Sequence, residues 1–346
     1  MEANVVGLDQ VDLTQKLSRK AYKKTKKALL QRLYELEREC FERGVPVIIV
    51  FEGWDAAGKG TSIRELTARL DPRGFKVLAT QASRTHEKLK PWLWRFWMDI
   101  PRRGQMAIFD RSWYGRVLVE RVQSLTSLPD WIRAYEEING FERTLTDDGT
   151  VIIKFWLHIS KQEQLRRFAR LTSNPETAWQ VTAEDWENHR RYDDYMAAVE
   201  DMLANTHTEY GPWVVVPATS RHVKSYLLLT TLIARLEAAL GFDVTAWPSA
   251  EELQAERKQN VKQKAKRAGE KEPSKQDRKD TEAAKSTKLA KRKNAAKAKS
   301  SAKSGKSAKD GSRSGAKADP AKKSASDQGE SVTEARNHAG EEQTDA

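Results

Sequence analysis

Between residues 45 and 217 the apolar positions of this chain fall into five short runs, 45–51, 75–80, 106–109, 151–159 and 213–217. Each run is nearly continuous rather than alternating, the signature of a strand buried on both faces of a parallel sheet. Stretches with helical spacing separate them and predict helices over 60–70, 87–97, 112–121, 129–145 and 221–240. Residues 13–43 form a further helical segment with Lys and Arg on its open face, ending at Gly44. Strand and helix in alternation predict an α/β, three-layer, doubly wound fold whose ligands sit at the carboxyl ends of the strands.

About fifty residues, 161–208, separate the last two strands and read as two helices joined by Thr172-Ser-Asn-Pro-Glu-Thr177. An insertion of that length at that place is expected to form a helical lid over the ends of the strands.

The pattern stops near residue 250. From Glu251 onward there is no Phe, Trp or Tyr, and all eleven Trp of the chain precede it. Such a segment cannot bury enough apolar surface to offset its ordering entropy, so a disordered tail is expected over 246–346. It holds 25 Lys and Arg against 16 Asp and Glu, which is +9 of the total +12. The basic balance is therefore largely a property of the tail. Stretches such as Lys288-Leu-Ala-Lys-Arg-Lys293 and residues 296–303 would attract polyanions, or simply keep the chain soluble. The expected organisation is an N-terminal helical segment (1–44), a body (45–245) and the tail (246–346).

A single cysteine, Cys40, excludes an internal disulfide and suits a reducing compartment. No apolar stretch has the length of a membrane span or the character of a secretion signal, so a cytoplasmic protein without membrane insertion is expected.

The chemistry is concentrated where the first strand ends. Phe51-Glu-Gly-Trp-Asp-Ala-Ala-Gly-Lys-Gly-Thr61 has the spacing of a phosphate-binding loop. Gly53, Ala57, Gly58, Gly60 and Thr61 let the backbone aim N–H groups at phosphate oxygens and hand over to a helix start, while Lys59 supplies the cation. Gly60 occupies the position at which a Ser or Thr usually reaches Mg²⁺, and an acid, Asp55, lies inside the loop. The run 106–109 ends in Asp110, a second oxygen donor for a hard cation. Asp55 is then either a metal partner of Asp110 or a carboxylate that caps the loop. Arg111 and Arg116 follow directly, and either fork phosphate oxygens or bridge to acids such as Glu120. In the lid, Arg166, Arg167 and Arg170 are close in sequence, and Arg166 and Arg170 share a face that either meets phosphate or faces water. The aromatic cluster 92–97 has core spacing rather than that of a base-stacking platform.

Together with Leu70-Asp-Pro-Arg-Gly-Phe75, Leu93-Trp-Arg-Phe-Trp97, Phe109-Asp-Arg-Ser-Trp-Tyr-Gly-Arg116 and Lys154-Phe-Trp-Leu-His-Ile-Ser160, the loop resembles the polyphosphate kinase 2 family. It is most similar to the polyphosphate:AMP phosphotransferases of that family, over about residues 10–240. The resemblance implies a P-loop kinase fold, a homo-oligomer and Mg²⁺ held by Asp55 and Asp110. It further implies transfer of a terminal phosphoryl from inorganic polyphosphate to a nucleoside mono- or diphosphate, AMP to ADP before ADP to ATP. The alternatives are a nucleotide kinase with ATP as donor and a non-catalytic polyanion-binding protein. Two departures stand out. Thr61 replaces a second glycine, and the basic lid loop of the family is here Pro175-Glu-Thr-Ala-Trp-Gln180, with Glu176 where a cation would guide the polyanion. A weaker hold on long polyphosphate at the lid is expected, unless the Lys-rich tail compensates.

Overall fold

A computed structural model describes residues 7–269 and 287. The helix predicted from residue 13 begins later, at Arg19, because the Ser18 side chain accepts from the Ala21 N–H and caps it. This helix, α1, covers Arg19–Arg43 and ends at Gly44 in the left-handed region. The five strands are β1 (Val47–Gly53), β2 (Phe75–Ala79), β3 (Met106–Asp110), β4 (Val151–His158) and β5 (Trp213–Pro217). All pair in parallel in the order β2-β3-β1-β4-β5, as the unalternating apolar runs require.

Strand β1 is central, and Val47 to Phe51 are fully buried, each side chain contributing roughly 1.5–3 kcal/mol on burial. Register brings the strand ends together: Phe51 faces Asp110 on β3, and Gly53 faces Leu157 on β4. Helix α2 (Lys59–Thr67) packs on β1 and β3.

Two predicted helices are broken. The expected helix at 87–97 is two single turns, α3 (Thr85–Lys88) and α4 (Trp94–Trp97), because Pro91 between them has no N–H to donate. Its aromatic cluster packs as expected only in part: Phe96 is buried, whereas Trp97 lies half-exposed, edge-on to Phe141 at 4.7 Å. The expected helix at 112–121 is a 3₁₀ turn (Trp113–Arg116) followed by α5 (Val119–Val122). Trp113 and Tyr114 are buried, and both side chains bond to Glu142, which draws this segment out of helical register.

Helix α6 (Leu128–Asp147) packs on β4 and supplies Glu142. The insertion forms three helices rather than two, α7 (Lys161–Thr172), α8 (Ala183–Arg190) and α9 (Tyr192–Thr206), with a 3₁₀ turn at Ala178–Gln180. Helix α10 (Arg221–Ala239) packs on β4, β5, α1 and α2. The tail boundary expected at 246 is also corrected. Helix α11 (Ala250–Gly269) packs on α1 and α10, burying Ala250 and Leu253, while Gln254 accepts from the Ser18 N–H at 3.0 Å. The composition argument missed it because the anchoring Ala250, Leu253 and Gln254 stand at its very start, ahead of the charged residues that dominate the average. The basic stretches at 288–293 and 296–303 lie outside the described residues. Cys40 is buried in the core, and among the described residues no helix is long and apolar enough to cross a membrane.

One polar cluster is sealed inside this core. Lys154 Nζ donates to Glu142 Oε2 at 2.7 Å, to the Tyr114 hydroxyl at 2.7 Å and to the Thr206 carbonyl at 2.8 Å. Neither Lys154 nor Glu142 has any solvent exposure. The cluster joins β4, α6, α9 and the turn after β3, so it fixes the residues that follow Asp110. Removing one partner strands a buried charge. Glu142→Ala is expected to cost about 3–5 kcal/mol in a urea titration, and the paired Glu142→Leu/Lys154→Met variant is expected to cost less than Glu142→Ala alone.

Candidate active site

At the carboxyl edge of the sheet the chain leaves β1 through Gly53, whose φ of +145° and contact with the Leu157 backbone leave no room for a Cβ. Trp54 then turns inward. Its ring stacks on Tyr192 at 3.9 Å, and its Nε1 donates to His158 Nδ1 at 3.1 Å. Burial pushes the His158 pKa down to about 4, so at neutral pH the ring keeps Nδ1 as an acceptor. The loop closes at Gly58, left-handed at φ +97°, and α2 begins with Lys59.

A loop that presents its N–H groups to an anion must satisfy its carbonyls elsewhere. Every carbonyl from Gly53 to Gly58 has a donor. Lys59 Nζ reaches the Gly53 oxygen at 2.8 Å, and the Ala57 N–H reaches that of Trp54 at 3.0 Å. Gln164 of α7 donates to Asp55 O at 3.2 Å. Arg167 of α7 donates to Ala56 O at 2.9 Å and Ala57 O at 3.1 Å, and also to Ala218 O at 2.7 Å. Lys224 of α10 donates to Gly58 O at 2.9 Å. A side chain at position 58 would collide with this lysine. The Thr61 hydroxyl also turns back to Gly58 O, at 2.9 Å, so the departure at this position serves the loop.

Asp55 accepts from Arg111 at 2.7 Å and from Asn188 of α8 at 3.0 Å, with Lys59 Nζ at 4.0 Å. Burial raises its pKa, but Lys59, Arg111 and the two hydrogen bonds outweigh burial and hold it below the usual carboxylate range. It is not a cap on the loop N–H groups. Arg111 reaches it from a left-handed backbone (φ +64°), a conformation costly for a non-glycine residue. Asp110 ends β3 opposite α2, and a Cβ on Gly60 would stand 3.9 Å from its Oδ2. Glycine at 60 thus leaves open the space between that carboxylate and the helix start. Beside it, Glu52 is buried and accepts from Ser112 at 2.8 Å, its pKa raised by desolvation. Glu52, Asp55, Arg111, Asn188 and Tyr195 line a half-open cleft beside the loop.

The structure does not bring all the predicted residues together. Arg116 is paired with Glu120 at 2.8 Å, donates to Thr126 at 2.9 Å and lies over the Trp92 ring. Arg166 is 62% exposed and bonded to Glu163, and Arg170 is exposed. The arginine that reaches the loop is Arg167, between them. Its sequence signal was present, but a helix-face argument pairs Arg166 with Arg170 and leaves Arg167 aside. Gln164, Asn188 and Lys224 had no motif to mark them. In the lid loop, Trp179 is 75% exposed.

Lys224 is 3% exposed. Desolvation, with Arg167, Arg221 and Lys59 nearby, lowers its pKa to about 7, against 10.5 when unfolded. Between these values the unfolded chain binds the extra proton, so this group makes stability rise with pH from about 7 upward. We expect wild-type stability in urea to gain at most about 1.4 kcal/mol per pH unit from pH 7 to 9 through this group, and Lys224→Met to flatten that rise.

Residues 16–241 match the family model described as Polyphosphate kinase 2 (PPK2). The chain is 45% identical over 236 residues to the polyphosphate:AMP phosphotransferase of Pseudomonas aeruginosa, covering 68% of this chain and 48% of that protein. It is 38% identical over 210 residues to the AMP/ADP-polyphosphate phosphotransferase of Meiothermus ruber, covering 60% and 79% respectively. The crystal structure of polyphosphate kinase 2 from Arthrobacter aurescens superimposes with a TM-score of 0.66 at 30% identity, over 76% of this chain and 94% of that one. The chain thus spans about half the length of the Pseudomonas relative, and the loop, both aspartates, Arg167 and Lys224 all lie inside the matched region. This chain belongs to the polyphosphate kinase 2 family.

Proposed function

We propose that the chain transfers the terminal phosphoryl of inorganic polyphosphate to a nucleotide, converting AMP to ADP in preference to ADP to ATP. The observation that carries this reading is the braced loop with Lys59, facing Asp55 and Asp110 at one edge of the sheet. The acceptor preference rests on likeness to the Pseudomonas protein, which is named for AMP.

The acceptor attacks through a phosphate oxygen that is already anionic near neutral pH, so no general base is required. What the reaction requires is alignment and compensation of charge. The loop N–H groups and Lys59 hold the donor phosphate. Arg111, released from Asp55 or shared with it, has the planar fork for a second phosphate.

Asp55 and Asp110 would hold a divalent cation, Mg²⁺ in this reading. Their carboxylates are hard oxygen donors, and among the described residues no cluster of three acidic, His or Cys side chains offers a closed cage. An open pair of carboxylates suits a cation that keeps water and substrate phosphate in its shell. Bound there, the cation would neutralise charge on the phosphate oxygens. The same reading places the protein in the cytoplasm as a homo-oligomer, consistent with exposed apolar side chains such as Leu89 and Met98.

Incubating the chain with Mg²⁺, polyphosphate and either AMP or ADP is expected to yield ADP from AMP faster than ATP from ADP. Lys59→Ala and Asp110→Asn should each lower kcat roughly a hundredfold or more with thermal stability retained. Absence of product from both acceptors, with polyphosphate binding intact, would discard the reading.

A further inference from the structure

Helix α11 lies beyond the matched region, which ends at residue 241. Where it crosses the start of α1 the two helices enclose a groove of about 330 Å³. Leu253 is on its floor, and Lys20, Lys24, Arg257 and Asn260 are on its walls. Lys24 is paired with Glu256 at 2.7 Å, the acid that faces the groove. Lys20 has no carboxylate partner among the described residues, nor have its exposed neighbours Lys23 and Lys27. Arg257 adds a third cation to the lining, and no carboxylate pairs with it among the described residues.

The basic surface continues toward the active site. Beyond the groove, Arg19, Arg221 and Lys26, the last of them ion-paired with Glu65, surround His222, whose ring stacks on Tyr22 at 5.5 Å. Burial first, then Arg221, Arg19 and Lys26 hold the His222 pKa below its ordinary value, against the opposing pull of Glu65. Two residues further along α10 is Lys224, which touches the phosphate loop.

We infer that the groove between α1 and α11 is a second anionic-ligand site, which anchors the distal part of a polyphosphate chain whose end lies in the phosphate loop. The proposal rests on polyphosphate as the substrate of the proposed reaction. The groove lining favours polyphosphate over nucleic acid, because it contains cations and aliphatic carbons but no aromatic ring for base stacking. A linear polyanion carries charge on every phosphate and so engages separated cations together, whereas a short one reaches only the loop. The anchor does for long chains what the lid loop, with Glu176 at its turn, is poorly charged to do.

The test is a comparison of chain lengths in the full-length protein. In the K20Q/K24Q/R257Q variant, KM for long-chain polyphosphate is expected to rise about tenfold, while kcat and KM for tripolyphosphate stay unchanged. Equal changes for both donors, or none, would overturn the proposal. Binding of long-chain polyphosphate to the Lys59→Ala protein, followed by fluorescence anisotropy, reads the groove even if the catalytic reading fails. There the three substitutions should weaken Kd by a similar factor, more at low salt than at high, and an unchanged Kd would overturn the assignment. K20R/K24R keeps the charges and should behave as wild type; a loss in that variant would assign the effect to packing and overturn the proposal. If the triple variant loses single-stranded RNA binding but keeps polyphosphate binding, the groove is a nucleic-acid site and the proposal is overturned.

Discussion

A phosphate loop is a backbone turned inside out. Its N–H groups must stay free for the anion, so its carbonyls face the protein and need donors beyond those of regular sheet or helix. In this chain that constraint is met by side chains from three helices. Lys59 holds the loop entrance, Gln164 and Arg167 its middle, and Lys224 its exit. Two of these donors, Lys59 and Arg167, also place positive charge behind the loop. Bracing and electrostatics therefore come from one set of contacts, with bonds to charged donors contributing about 1.5–3 kcal/mol each.

The rest of the fold serves that arrangement. Strand register sets Asp110 opposite Phe51, and the sealed Lys154–Glu142–Tyr114 cluster fixes the turn that carries Arg111. Asn188 of α8 meets Asp55, and α7 touches both the loop and the Ala218 carbonyl after β5. The insertion is thus tied to the loop at its base, through the first turns of α7, while its far loop around Trp179 is exposed. The insertion is therefore fixed at its root and meets solvent at its tip.

Much of this was legible in the sequence, for physical reasons that also mark where legibility ended. Buried parallel strands announce themselves as continuous apolar runs, and all five were found with small shifts at their ends. Glycine spacing and Lys59 were visible because a phosphate loop has that pattern, and the two aspartates because they stand in the loop and at a strand end. Helix periodicity failed at 87–97, where Pro91 interrupts it, and at 112–121, where Trp113 and Tyr114 are drawn to a buried carboxylate far away in sequence. The same kind of distant contact hid Lys224 and Asn188, which meet the loop from 166 and 133 residues away. Helix α11 was concealed by averaging, since two buried side chains and one hydrogen bond to Ser18 do not register against a long basic composition.

The central claim is that donors from outside the loop, Arg167 foremost, hold the phosphate cradle in shape before any ligand arrives. A crystal structure of the unliganded Arg167→Met chain tests it most directly. The account predicts that residues 54–58 leave their path, with Ala56 relaxing from the left-handed φ of +58° it holds in the wild type, while the strands superimpose. A loop that keeps its wild-type course without Arg167 would contradict it.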